Sequence, residues 1–205
     1  MVREILVVPY HKIFREKFFL GFSPLNEKDY MKDILENFEY KERNDSLEND
    51  PSFQQIISYV WLINRKIGKV FLYQRAISAG DYKEMRHVSK ISGGVGGHID
   101  FDSEGNMENP VFGAMIRELK EEVIMKEYPS PEIIGYIHDE ADMYNKVHTG
   151  VVGVVFTDEE KVIPADGMNS GGFYSVEEVE SILVDSENQI ENWTKISWPF
   201  VRNLI

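Results

Sequence analysis

The stretch from Asn109 to Met125 constrains the fold most, because its first two residues set the register of a long helix. Asn109 can accept from the amides that open a helix, and Pro110 at the first helical position gives up no hydrogen bond there. At about 100° per residue, Phe112, Met115, Ile116, Leu119 and Val123 fall on one narrow stripe that is expected to face a core. Glu118, Glu121 and Glu122 cluster on another face. A helix with one apolar stripe needs a layer to bury it, and the segments on both sides read as strands.

Before the helix, Ile5 to Val8 is a short apolar run, and Glu27 to Phe38 carries Tyr30, Ile34, Leu35 and Phe38 at helical spacing. Lys41 to Ser52 is polar and aperiodic and reads as a surface loop. Ile56 to Leu62 and Val70 to Gln74 are β-branched and aromatic, with Asn64 to Lys69 between them, which predicts a hairpin. The glycine-rich run Ser92 to Asp100 follows, then a polar loop from Asp102 to Glu108. After the helix, strands are expected at Glu132 to His138 and Gly150 to Phe156, and a last helix from about Ile190 to Leu204. Ser175 with Glu178 three residues on is a capping box that opens another helix. The pattern predicts an α/β chain with a mixed sheet between helical layers. It reads as a single domain over residues 1–205: an N-terminal embellishment at 1–52, a core at 53–185 and a C-terminal helix at 186–205.

Composition narrows the function. Basic residues number 22 against 35 acidic, a formal charge of -13, which disfavours a nucleic-acid polymer, since such binding rests on clustered Lys and Arg. A small anionic substrate stays open if a divalent cation offsets the surrounding carboxylates. The chain has no cysteine, which excludes disulfides, thiolate zinc sites and cysteine nucleophiles. No stretch approaches a membrane span, and the start lacks the apolar core and cleavage site of a signal peptide, so a cytoplasmic location without membrane association is expected.

Glu118, Glu121 and Glu122 stand at helical spacings of three and four residues, where like charges repel unless a cation compensates. Magnesium suits such a set, because it keeps several waters and uses one or two protein carboxylates together with substrate phosphates. A solvated acidic helix face would show the same spacing.

The context of the glutamates distinguishes these readings. Arg117-Glu118-Leu119-Lys120-Glu121-Glu122, with the Gly96-Gly97-His98-Ile99-Asp100 turn upstream, resembles the signature of the Nudix hydrolase family, the MutT-like phosphohydrolases: G-x5-E-x7-R-E-U-x-E-E-x-G-U, with U aliphatic. Gly172 to Val179 resembles the family's late strand-to-helix step, and the likeness runs from about Ile56 to Val184. Three positions depart from the pattern. Asn109 stands where the upstream Glu is required, with Glu108 one residue early. Ile124 replaces the final Gly, and Asp102 to Met107 is an insertion.

The resemblance implies an α/β/α sandwich with N- and C-terminal embellishments, and hydrolysis of a diphosphate linkage in a nucleoside diphosphate derivative or related small molecule. It implies Glu121 and Glu122 as ligands of magnesium, or of manganese in its place. Glu118 would be a ligand or the base that activates water, and Arg117 would orient a carboxylate. It also implies a substrate-binding role for Gly96, Gly97 and His98, an additional catalytic or metal-binding carboxylate in the segment His138 to Asp142, where Glu140 is the choice against a solvated acidic loop, and a homodimer as a frequent assembly.

Other residues have two readings each. The glycines either let backbone amides approach phosphate or permit a sharply turned strand. His98 and Asp100 either line the metal site or pack. Tyr144 and His148 either reach substrate or do not, and Trp61, Trp193 and Trp198 either stack on a base or, for the last two, belong to the core. The competing functions are a Nudix-type fold that binds a nucleotide or ADP-ribose without cutting it, and a calcium-binding module, for which no Asp-x-Asp-x-Asp-Gly loop exists. Isopentenyl-diphosphate isomerases, which share the fold, need a cysteine that this chain lacks.

Overall fold

The computed structural model describes residues 2–75, 90–165 and 168–205. In chain order the elements are β1 (Glu4–Pro9), α1 (Tyr10–Ile13), β2 (Gly21–Pro24), α2 (Met31–Asn37), β3 (Glu39–Glu42), β4 (Phe53–Asn64), β5 (Lys69–Arg75), β6 (Ile91–Ser92), β7 (Gly94–Val95), α3 (Phe101–Glu104), α4 (Pro110–Glu122), β8 (Val123–Ile124), β9 (Glu132–His138), α5 (Met143–Lys146), β10 (His148–Phe156), β11 (Ile163–Pro164), β12 (Met168–Ser175), α6 (Val176–Val184) and α7 (Asn192–Val201). They fall into two compact units. One comprises Met1–Tyr59, Gly96–Met115 and Ile133–Gly153, and the other Val60–Val95, Ile116–Glu132 and Val154–Ile205.

In the first unit β3 pairs with β1, β1 pairs with β4, and from β4 the order continues through β10 and β9 to β2. The β1/β3, β1/β4 and β2/β9 ladders are antiparallel. Ile5 to Val8, Ile56, Tyr136, Ile137, Val151 and Val152 are buried in this unit, which marks both faces of its central strands as covered. Phe14 meets Phe19 and Tyr30 edge to face, and the Phe19 and Tyr30 rings lie tilted at 44° to each other.

In the second unit the order is β12, β5, β4, β10, with β6 on β5 and β7 on β4. The β4/β5 hairpin turns through Gly68, whose φ of 63° suits a residue without Cβ. Backbone bonds from Gln55 N to Val147 O and from Thr157 N to Ile63 O rise together along β4 and β10, so these two strands run parallel. The sheet is therefore mixed, as the element order predicts. Trp61, Trp193 and Trp198 are buried, with Trp61 and Trp198 ring centroids 6.1 Å apart, which gives the core reading of the tryptophans.

Several boundaries differ from expectation, each for a local reason. The helix expected from Glu27 begins at Met31; just before it Asp29 Oδ1 accepts from the Met31 amide at 2.9 Å, an Asx turn that holds Asp29 and Tyr30 outside the helix. The expected loop 41–52 begins as strand, since Lys41 and Glu42 pair with Ile5 and Glu4 of β1, and it contains the buried Leu47 in a 3-10 turn. In the expected loop 102–108, α3 closes a single helical turn, and the buried Glu104 accepts from the Asp100 amide at 2.8 Å. α4 opens as predicted, with Asn109 Oδ1 accepting from Phe112 N at 3.0 Å, but stops at Glu122 instead of Met125. Val123 and Ile124 pair with Pro164 and Ile163 instead. The terminal helix spans Asn192–Val201 and tightens into a 3-10 turn over Arg202–Leu204.

Candidate functional site

The buried stripe of α4 is Val111, Ala114, Met115, Leu119 and, in strand, Val123; Phe112 and Ile116 are only half-buried, so the stripe is rotated from the expected one. The rotation brings Glu118 to the edge of the buried face. Its side chain is 10% exposed, whereas Glu121, nearly one turn on, is 57% exposed. Glu122 is half-buried, and its carbonyl accepts from Ala165 N at 2.9 Å where α4 gives way to β8.

One nitrogen joins two of the glutamates. Arg117 Nη1 donates to Glu118 Oε1 and to Glu121 Oε2, both at 2.9 Å. The guanidinium is itself mostly buried and offsets the repulsion that two carboxylates three residues apart would otherwise feel. Arg117, Glu118, Glu121 and Glu122 all belong to the second unit, on one short arc of helix.

The donor set consists of carboxylate oxygens, the ligand type of a hard divalent cation, so its chemistry fits magnesium or manganese. Among the described residues, no three His, Asp or Glu side chains converge as a ready-made metal cage. Arg117 holds two of the oxygens that such an ion would share. The residues therefore fit the group by ligand type and proximity on the helix.

In the first unit the glycine turn and His98 have different surroundings. Gly96 has φ 151°, and a Cβ there would lie 1.9 Å from the Ser58 carbonyl oxygen. Ser58 N donates to Gly97 O at 2.9 Å, so the turn passes against β4 backbone. These contacts give Gly96 a packing reason for being glycine. His98 is 3% exposed, with Nε2 at 2.8 Å from Gln55 Oε1 and 3.3 Å from His148 Nε2. Burial, then Arg43, His148 and Arg3, hold its pKa well below the ordinary histidine range. Tyr144 lies over the His148 ring at 4.2 Å between centroids, and its carbonyl accepts from His148 Nδ1.

Asp100 is paired with Arg3 at 2.7 and 3.1 Å. Glu108 is exposed and precedes α4. Glu140 lies 3.8 Å from His138 Nε2 on the segment after β9. Sequence reasoning missed the buried carboxylate of Glu104, which stands in no periodic pattern, and it named His138 at the start of an acidic segment without its burial.

No protein-family model and no curated protein matches this sequence. Solved structures do match. Tm1382, a candidate Nudix hydrolase, has a TM-score of 0.78 at 24% identity, over 98% of this chain and 100% of that one. The MutT protein from Methanosarcina mazei Go1 has a TM-score of 0.52 at 18% identity, over 74% of this chain and 95% of that one. A bifunctional NMN adenylyltransferase/ADP ribose pyrophosphatase from Francisella tularensis has a TM-score of 0.52 at 14% identity, over 73% of this chain and 42% of that one. No helix is long and apolar enough to cross a membrane among the described residues. The chain has the mixed α/β fold of these Nudix structures.

Proposed function

We propose that this chain hydrolyses a phosphoanhydride linkage in a nucleoside diphosphate derivative, with a divalent cation held by Glu118, Glu121 and Glu122. The observation that carries the proposal is the pair of 2.9 Å bonds from Arg117 Nη1, which gather Glu118 and Glu121 on α4. Arg117 compensates two of the carboxylates, and such a cluster on a fold shared with part of a bifunctional NMN adenylyltransferase/ADP ribose pyrophosphatase is suited to phosphate chemistry. When bound, the cation would supply charge neutralisation at the diphosphate oxygens.

The residues of the chain then divide the work. Glu121, the more exposed, reaches solvent and substrate, whereas Glu118, mostly out of water, is the better placed to hold a proton taken from the attacking water. Arg117 fixes both carboxylates through the two 2.9 Å bonds of its Nη1.

One observation favours the second reading, a domain that binds such a molecule without cutting it: Arg117 already compensates two of the three glutamates. Release of phosphate or nucleotide from a panel of diphosphate compounds, with and without magnesium, separates the two readings. Turnover in the wild type that needs magnesium and is lost in Glu121→Gln supports the hydrolase. Ligand binding without turnover in either protein would replace it with the binding domain.

A further inference from the structure

The imidazole at the end of β9 presents a bare nitrogen to a carboxylate. His138 Nδ1 lies 3.1 Å from the His148 carbonyl oxygen, which can only accept, so Nδ1 carries the proton of the neutral ring. Thr149 Oγ1 also lies near Nδ1, at 3.4 Å, and its own hydrogen goes to Gln54 Oε1 at 2.9 Å, which agrees with that tautomer. Nε2 is therefore an acceptor. It is buried and has no hydrogen-bond partner among the described residues.

Glu140 Oε1 stands 3.8 Å from Nε2, on a side chain 32% exposed. Two acceptors, one of them charged, thus face each other across a gap too long for a hydrogen bond and too short to be indifferent to charge. Phe14, Phe18 and Phe19 surround the ring at centroid distances of 4.9, 5.7 and 6.2 Å and offer it no hydrogen bond. This desolvation lowers the pKa of His138, while the bond to His148, Glu140 and then Asp139 work against it. Among the described residues, the charged groups that act on the imidazole are these two carboxylates at the exit of its own strand. The elements packed on it bring phenylalanines, Thr149 and the His148 carbonyl, and the Glu140 carboxylate also reaches Tyr10 of α1, whose pKa is raised by burial and then by this carboxylate.

We propose that His138 and Glu140 form a proton-operated latch. One proton from solvent added to Nε2 turns the 3.8 Å gap into an ion-paired hydrogen bond. That bond draws the segment 139–142, which links β9 to α5, towards the phenylalanines. Loss of the proton releases it, and Glu140 returns to water.

Residue-resolved NMR tests the latch, following the His138 ring signals and the 139–142 amides through an acid titration of the wild type and Glu140→Gln. Glu140 is partly exposed, so the variant keeps the fold. In the wild type the segment amides should move with the His138 midpoint. In Glu140→Gln that midpoint should fall by about half a unit or more, and the amides should cease to follow it. Equal midpoints in the two proteins overturn the proposal, and so does a wild type that unfolds before His138 takes up a proton. In His138→Gln the amides should lose this transition, and an unchanged transition there would also overturn the latch.

Discussion

Arg117 and Glu121 stand about one helical turn apart on α4 and meet through a 2.9 Å bond from Nη1 to Oε2. The same nitrogen holds Glu118, so one cation sets the positions of two carboxylates of unequal burial. The bond to exposed Glu121 is screened and contributes less than about 1 kcal/mol, while the bond to Glu118, largely out of water, matters more for geometry. Arg117→Ala is expected to lower kcat/KM by about 10- to 100-fold, the usual effect of removing a group that orients ligands, with a small fall in Tm. Arg117→Lys keeps the charge without the planar fork and should recover only part of the loss. An alanine variant with unchanged kcat/KM would show that the glutamates need no orienting cation.

Gly96→Ala tests the packing reading of the glycine turn. At φ 151° an L side chain is strained, and the new Cβ would sit 1.9 Å from the Ser58 carbonyl oxygen, a backbone atom that cannot swing aside. A loss of about 2 kcal/mol or more is expected in urea unfolding. Gly172→Ala is the control, because among the described residues its Cβ would meet only Tyr174, at 3.9 Å. Equal stabilities of the two variants would return Gly96 to a role in ligand approach alone.

The start of α4 was legible in the sequence because its determinant is local: Asn109 caps an amide three residues away. Its end was not, because Val123 and Ile124 leave the helix for a strand pairing with Ile163 and Pro164, a partner that no short window contains. α3 was missed for another reason. A four-residue helix has no period to read, and what orders it is the side chain of Glu104 turning back to Asp100. The arginine and glutamates of the candidate site were legible as a motif, but the unequal burial of Glu118 and Glu121 was not, since it depends on how far the helix is rotated about its axis. His138 showed as the last residue of an expected strand and the first of an acidic segment, with nothing to mark it as buried. Its burial comes from Phe14, Phe18 and Phe19, residues distant in sequence.

Trp198→Ala should act on stability. The side chain is 3% exposed and lies 6.1 Å, ring to ring, from the fully buried Trp61, so truncation leaves a cavity that neighbours only partly fill. The expected cost is about 3–5 kcal/mol, read as a lower urea midpoint. A variant as stable as the wild type would contradict the placement of Trp198 in the core.

Acid should destabilise the protein through its buried histidines, and the sign follows from His98. Burial, together with Arg43, His148 and Arg3, holds the folded pKa well below the ordinary histidine value of 6.5. Between the two values the unfolded chain binds more protons than the folded one, so stability falls as pH falls. The contribution of a neutral His98 is therefore complete above about pH 6.5 and is lost progressively below it, until the folded pKa is reached. His98→Gln carries no such proton. Its Tm should be lower than that of the wild type near neutrality, because the bonds to Gln55 and His148 are disturbed. Below about pH 6.5 its Tm should decline less steeply. Parallel Tm profiles for the two proteins between about pH 7.5 and 5 would show that His98 is protonated to the same extent in both states, and hence that its ring is not held out of water.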